Sequence, residues 1–162
     1  MKKTIFFLLA LVAAFVSCDK VETDNEKSKE ATGKNEVIAT YDTLFFTGTL
    51  LANASSGDCQ TPDTKVSINY TDKADSVSIT IFKAKLAQRM PAMDIIIPGI
   101  NIEENSGNTV ITSDRSVPLA MGGNEFSQYT VTEFSGEFTA ESLSFSLKFG
   151  STPTSFTGQY QE

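Results

Sequence analysis

The chain has 162 residues, with 13 lysines and arginines against 20 aspartates and glutamates, which gives a net charge of −7. The sequence has no basic stripe, so nucleic acid is a poor candidate partner. It also contains no histidine, which removes the usual activating partner of a catalytic cysteine.

The first 17 residues have the layout of a secretory signal peptide. A start with two lysines precedes the apolar run 5–16, and Ser17 follows, immediately before Cys18. The run is too short to span a bilayer, which needs about 20 residues. We therefore expect residues 1–17 to be cleaved from an exported protein.

The tetrad Phe15-Val16-Ser17-Cys18 resembles a lipobox, with Phe where Leu is commonest. The resemblance implies that Cys18 becomes the first mature residue and carries acyl chains, which hold a protein to a membrane at about 0.8 kcal/mol per buried methylene. The alternative is an ordinary signal with a cysteine there by chance. The predicted location is that of an outer-membrane lipoprotein, on the cell surface or the periplasmic face.

The segment 18–36 is predicted to be the lipidated cysteine followed by a disordered, charged tether. Ten of the residues in 19–36 are charged, and only Val21 and Ala31 are apolar. Such a segment cannot bury enough surface to offset its chain entropy. Its acids loosely resemble a signal for export to the outer face of the outer membrane, and a periplasmic position stays open.

The remaining residues, 37–162, are predicted to form one all-β domain. Apolar and polar residues alternate with a period of two, as expected for half-buried strands. Strands are predicted over 66–70, 77–81, 95–97, 110–112, 126–131, 134–138 and 143–149. Turn residues separate several of them, at 72–75, 107–108, 122–124 and 139–142.

Two places interrupt this alternation. After Ile81 the phase shifts by one residue, which predicts a β-bulge, with a short helix over 83–90 as the alternative. Pro91 and Pro98 flank the strand 95–97 and predict an edge strand or a barrel rim.

A five-residue pattern occurs at 46–50, 134–138 and 156–160. Each copy has an aromatic residue, a hydroxyl residue, glycine, a polar residue and an apolar one. On a strand, the large residues and the glycine share a face, and glycine lets the strand bend where a small barrel curves. Because copies lie near both ends of the domain, we expect the first and last strands to pair and the sheet to close. Chance recurrence is the alternative.

Several of these segments together resemble the calycin-like lipoprotein domain family of Gram-negative gut anaerobes. The matching segments are 46–50, 90–98, 134–138, 143–150 and 156–160. The resemblance covers residues 41–161 with gaps and implies a single antiparallel eight-stranded β-barrel, related in shape to lipocalins. It implies no activity and supplies no catalytic residues. The sequence departs from the family at 87–89, where glycines are commoner.

An eight-stranded barrel can be filled by side chains or can hold one small ligand. The candidate ligand-binding residues are phenylalanines on apolar strand faces, namely Phe46, Phe134, Phe138, Phe145, Phe149 and Phe156. They predict a site for a small apolar or glycan-like ligand in or at the barrel mouth, with core packing as the alternative.

A second hypothesis is a non-enzymatic surface or periplasmic interaction scaffold with a side-chain-filled barrel. Loops carry such contacts readily. The candidate loops are 53–60, 105–108 and 113–124.

No enzyme activity, cofactor or metal site is predicted. Asp94, Glu103, Glu104 and Asp114 are the candidates for a catalytic carboxylate pair, but solvated surface acids are the favoured interpretation. Without histidine only an oxygen-ligated calcium site stays open, and no calcium-loop spacing is present. Cys59 is interpreted as a loop cysteine without a catalytic role.

Overall fold

The structure is a computed structural model that describes residues 43–73, 75–120 and 122–162. The predicted signal peptide (1–17), the predicted acylation site Cys18 and the predicted tether (18–36) lie outside these residues. Within the described ranges the chain forms strands and one 3-10 turn, and no α-helix is present there.

Ten strands are numbered in chain order. They are β1 (Thr43–Ala54), β2 (Gly57–Tyr70), β3 (Ser76–Ala84), β4 (Met93–Asn105), β5 (Asn108–Ser116), β6 (Leu119–Ala120), β7 (Asn124–Glu125), β8 (Val131–Phe138), β9 (Ser142–Phe149) and β10 (Thr152–Gln161).

Eight of the strands form a closed antiparallel barrel. Neighbours follow the order β3, β2, β1, β10, β9, β8, β5, β4, and β4 pairs back with β3. β1 pairs with β10, so that Gly48 lies opposite Gly158 and Leu50 lies opposite Phe156. The predicted all-β fold class and the predicted pairing of the first and last strands are both confirmed.

The two ends of the barrel differ in their connections. At the terminal end, where β1 begins and β10 finishes, the connections 71–75, 106–107 and 139–141 are short. The far end carries the β1–β2 turn at 55–56 and the connection 85–92. It also carries the longest connection, in which β6 pairs with the start of β4 and β7 folds back on β6.

The predicted alternation places apolar side chains inside the barrel. On β9, Leu143, Phe145, Leu147 and Phe149 are buried, while the serines between them are exposed or half-buried. Burial of one such large side chain contributes about 1.5–3 kcal/mol. The inward rows of the strands therefore supply the hydrophobic core.

Glycines of the recurring pattern lie where strands approach most closely. A Cβ atom added to Gly48 would collide with the backbone of Thr157, and one added to Gly136 would collide with the carbonyl oxygen of Ser144. At Gly158 the added atom would lie 2.6 Å from the ring of the phenylalanine two residues earlier. These contacts favour a packing requirement over chance recurrence as the origin of the pattern.

The phase shift after Ile81 is a β-bulge, as predicted. The register of β3 with β4 shifts between Ile81 and Ala84, and Lys83 between them has a φ of 51°. The backbone N–H of Lys83 donates to Oδ1 of Asp94 at 2.8 Å. The alternative of a helix over 83–90 is wrong, because turns and bends follow Ala84.

The strand containing Pro98 is not an edge strand. β4 pairs with β3 on one side and with β5 and β6 on the other. Pro98 and Gly99 together face the single residue Ser78, where the register shifts, so proline is accommodated at a bulge. The carbonyl oxygen of Pro98 accepts a hydrogen bond from the Ser116 hydroxyl at 2.6 Å.

The predicted strand 126–131 is also wrong for most of its length. Ser127–Tyr129 form the 3-10 turn, and the strand begins only at Val131. The Thr130 hydroxyl donates to the carbonyl oxygen of Ser127 at 2.7 Å. This local hydrogen bond gives the carbonyl a partner within the turn and so competes with strand pairing.

Candidate functional site

Three of the six candidate phenylalanines form a stacked column inside the barrel. The ring centroids of Phe134 and Phe145 lie 5.3 Å apart, and those of Phe145 and Phe156 also lie 5.3 Å apart. The interplanar angles are 25° and 23°. Each ring thus occupies the space that a flat ligand would need.

The other three candidates are equally enclosed. The ring of Phe46 meets that of Phe138 edge to face, with centroids 6.4 Å apart, and Phe149 is 1% exposed. All six are at most 5% exposed and belong to one core cluster. The sequence therefore identified side chains of the barrel interior, and their contact with a ligand stays a prediction.

The far end of the barrel is covered. Leu86, in the connection 85–92, is 1% exposed and belongs to the core cluster, and Met90 packs against that cluster. The side-chain amide of Gln88 donates to the carbonyl oxygen of Asp58 at 3.3 Å, which joins this connection to β2. An apolar side chain thus lies where a far-end mouth would open.

The terminal end is lined by tyrosines. Tyr160 is 40% exposed, and its ring meets that of Phe46 edge to face at 5.9 Å. Tyr70 packs partly against the core. Burial, and secondly the negative charge of Glu104, raises the pKa of the Tyr70 hydroxyl above its ordinary value of 10.0. The exposed Tyr160 and the partly packed Tyr70 give this end an amphipathic rim over the described residues.

Cys59 is not a loop cysteine, which corrects the interpretation from sequence. It lies on β2 opposite Ala52, and it is 7% exposed. The β1–β2 turn comprises only Ser55 and Ser56, so the strand begins two residues before the cysteine. Polar residues around Cys59 made this strand resemble a loop.

The four candidate carboxylates do not gather at one place. Asp94 lies near the start of β4, whereas Glu103 and Glu104 lie near its other end, so about 30 Å of strand separates them at 3.3 Å per residue. Asp114 is exposed on β5. Among the described residues no group of three or more acidic or cysteine side chains could hold a metal ion.

The three candidate contact loops also lie apart. The segment 53–60 is mostly strand, with only a two-residue turn at the far end. The segment 105–108 is a tight turn at the terminal end, where Ser106 and Gly107 both have positive φ. The segment 113–124 lies largely at the far end. The three candidates therefore do not form a single surface.

Sequence reasoning missed a groove on the outer wall, here called the lysine groove. Its volume is about 400 Å³, and it lies where β2 and β3 each carry a bulge. Its lining residues are Thr61, Pro62, Asp63, Thr64, Lys65, Phe82 and Lys83. The phase shift after Ile81 was the one signal in the sequence that pointed to this place.

A second depression of about 470 Å³ crosses the outer faces of β8, β9 and β10. Half of its ten lining residues carry hydroxyl groups, namely Ser135, Ser144, Ser146, Ser155 and Thr157, and the lining also includes Phe145 and Phe156 of the candidate set. The hydroxyl residues come from outward positions of the alternating pattern, which small polar residues occupy.

These features define the class of the molecule as a closed, eight-stranded antiparallel β-barrel with a packed interior. Comparison with protein-family models, with curated proteins and with solved structures gave no match. Over the part of the chain that the structure describes, none of the helical structure has the length and apolar character of a membrane span.

Proposed function

We propose that the protein is a membrane-tethered, non-enzymatic interaction scaffold whose barrel is filled by its own side chains. The observation that carries this proposal is the packing of the six phenylalanines against one another and against the aliphatic core. It favours the scaffold over a ligand held in the lumen.

A ligand in the lumen would have to displace this packing. The column of Phe134, Phe145 and Phe156 runs across three neighbouring strands, and removal of one buried phenylalanine side chain costs about 3–5 kcal/mol. A small ligand would need to recover that free energy before any net binding. A filled interior is instead compatible with a barrel that binds partners through its outer surface.

The far end is the best-supported contact surface. The described chain begins at the terminal end, which is therefore the end nearer in sequence to the proposed tether. The longer connections 85–92 and 117–130 lie at the opposite end. Loops on a rigid scaffold carry contacts readily, so we assign the contacts of this protein to the far end.

The membrane part of the proposal rests on the sequence before residue 37. A charged start, a short apolar run and Cys18 support export and acylation. Mass spectrometry of the mature protein tests it. We expect an N-terminal Cys18 bearing acyl chains, and an unmodified N-terminus at another residue would contradict it.

Site-specific photo-crosslinking in intact cells tests the interaction surface. A photoreactive residue would replace Gln88 or Gly123 at the far end, and Ala140 at the terminal end would be the control position. We expect one adduct of reproducible mass from the far-end positions only. Equal adducts from both ends, or none from either, would contradict the proposal.

A charge reversal supplies a second test. Arg89, in the connection 85–92, and Lys73, in the connection 71–75, are exposed cations at opposite ends. Arg89→Glu should reduce the yield of the far-end adduct, whereas Lys73→Glu should leave it unchanged. Equal effects of the two substitutions would argue against contact through the far end.

A further inference from the structure

We propose that the lysine groove binds a small organic anion with a flat apolar body, of the aryl sulfonate or aryl carboxylate class. This site lies on the outer wall, apart from the filled lumen and from the far-end connections. The inference thus goes beyond the scaffold function and does not depend on it.

The lysines that line the groove favour an anionic ligand. The protein carries a net charge of −7, yet Lys65 and Lys83 both line this groove. Neither lysine forms an ion pair within the described ranges, where the ion pair found joins Lys148 to Glu133 at 2.7 Å. Asp63 is the one acid of the lining. Two lysines against one acid in the lining favour an anion, and a second carboxylate, that of Asp94, lies at the bulge, where it accepts from the Lys83 N–H.

One of the two cations is held by a side-chain contact, and the backbone of the other is fixed. The Nζ atom of Lys65 lies 4.0 Å from the centroid of the Phe45 ring, a cation–π contact that restricts this side chain. The backbone of Lys83 is fixed at the bulge by the hydrogen bond from its N–H to Asp94. Positions fixed before binding lower the entropy that binding must offset.

Two residues with a strained backbone line the groove. Asp63 and Lys83 both have positive φ, of 52° and 51°, and both line the groove. Non-glycine residues in this conformation are strained and cluster at active sites and ligand-binding sites. Bulges on two neighbouring strands thus place strained residues in one groove. Bulges often change the direction of side chains next to a functional site.

The lining and volume of the groove indicate the shape of the ligand. Phe82 is half-buried and Pro62 is exposed, so the lining offers apolar surface as well as the two lysines. The volume of about 400 Å³ falls within the range of about 300–1,000 Å³ of small-molecule sites. A flat ring body against Phe82 with its anionic group between the lysines satisfies both features.

The test uses 8-anilinonaphthalene-1-sulfonate, a fluorescent aryl sulfonate, titrated into the full mature chain. We expect saturable binding at one site per molecule. The double variant Lys65→Gln/Lys83→Gln should weaken binding at least tenfold. Higher salt should also weaken binding, by a smaller factor, because the attraction is electrostatic. Phe82→Ala should weaken binding by removing the apolar contact.

A matched control removes the same charge elsewhere. The double variant Lys73→Gln/Lys148→Gln should retain the affinity of the unmodified protein, and circular dichroism should show that every variant keeps its strand content. Equal affinity of the two double variants would overturn the proposal, as would absence of saturable binding. Equal binding of the uncharged probe N-phenyl-1-naphthylamine would also overturn it, because the lysines would then be irrelevant.

Discussion

The barrel can close because glycines, which have no Cβ atom, lie where its strands approach most closely. Gly48 and Gly158 lie directly opposite each other on the first and last described strands, and a Cβ atom on Gly48 would enter the backbone of β10. Side chains can adjust by rotation, but backbone cannot move without opening the sheet. Position 48 therefore requires glycine, because the backbone of β10 lies too close for a Cβ atom.

Gly48→Ala should lower the free energy of unfolding by about 3 kcal/mol, the upper range for overpacking a close contact. Gly123→Ala is the control. Gly123 has a φ of 99° but open space around it, so only the left-handed backbone penalty of about 1–2 kcal/mol applies. Urea unfolding measures both, and equal losses would show that the close approach is unimportant.

Tyr70 makes the stability of the barrel sensitive to alkaline pH. Its pKa is raised by burial and then by Glu104, so the folded state favours the neutral hydroxyl. The stability from this group is fully present below pH 10.0 and is lost as the pH rises through the folded pKa.

Tyr70→Phe should therefore reduce the loss of unfolding free energy between neutral pH and pH values above 10.0, because it removes the group that must ionise in a partly buried site. Tyr160→Phe changes another tyrosine at the same end and serves as the comparison. Urea unfolding at pH 8 and at pH 10.5 measures the difference. An unchanged alkaline loss in Tyr70→Phe would contradict this account.

At the level of the strands, the sequence predicted most of the barrel because one face of each strand is buried. Val66, Ile68, Ile79 and Ile81 alternate with polar residues, and all four are fully buried. The hairpin of β8 and β9 was predicted for the same reason. A pattern of period two carries this information directly, since a one-residue slip would expose the whole apolar row.

The strand predictions failed where local hydrogen bonds or distant partners decide the conformation. The 3-10 turn at Ser127–Tyr129 is held by local bonds in a segment whose residues also suit a strand. The strand with Pro98 was predicted to be an edge strand or a barrel rim, and the edge alternative failed because nothing in the sequence reveals that β6 would pair with the start of β4. Cys59 resembled a loop residue because polar side chains surround it.

The candidate site was predicted only in part. The alternating pattern identified all six interior phenylalanines, but it could not show that they stack and fill the space. The lysine groove was missed because its lining comes from two strands with separate bulges. Convergence of bulges depends on the register between strands, which the pattern of one strand does not contain.

The bulge at Lys83 gives a prediction for a single element. Because Lys83 has a φ of 51°, Lys83→Gly should raise the free energy of unfolding by up to about 1 kcal/mol through relief of the left-handed penalty. Lys85→Gly, two residues later and without positive φ, should lower it by a similar amount. Urea unfolding of the two variants checks the signs, and a loss in both would contradict the strained bulge.

On the scale of the whole molecule, the interior and the exterior of the barrel have different roles. Its interior supplies stability through one continuous core, from Leu86 at the far end to Phe138 at the terminal end. Its exterior carries the proposed contacts at the far end and the proposed anion site on the wall. The scaffold proposal requires that the interior stay closed to ligands, whereas the anion site on the outer wall does not.

Titration of the uncharged probe N-phenyl-1-naphthylamine into the full mature chain tests that requirement most directly. A filled barrel predicts no saturable rise in fluorescence up to the solubility limit of the probe, and the same absence with Phe45→Ala, which changes only the outer face. Saturable binding that weakens when Phe145 is replaced by leucine would place a ligand in the lumen and contradict the account.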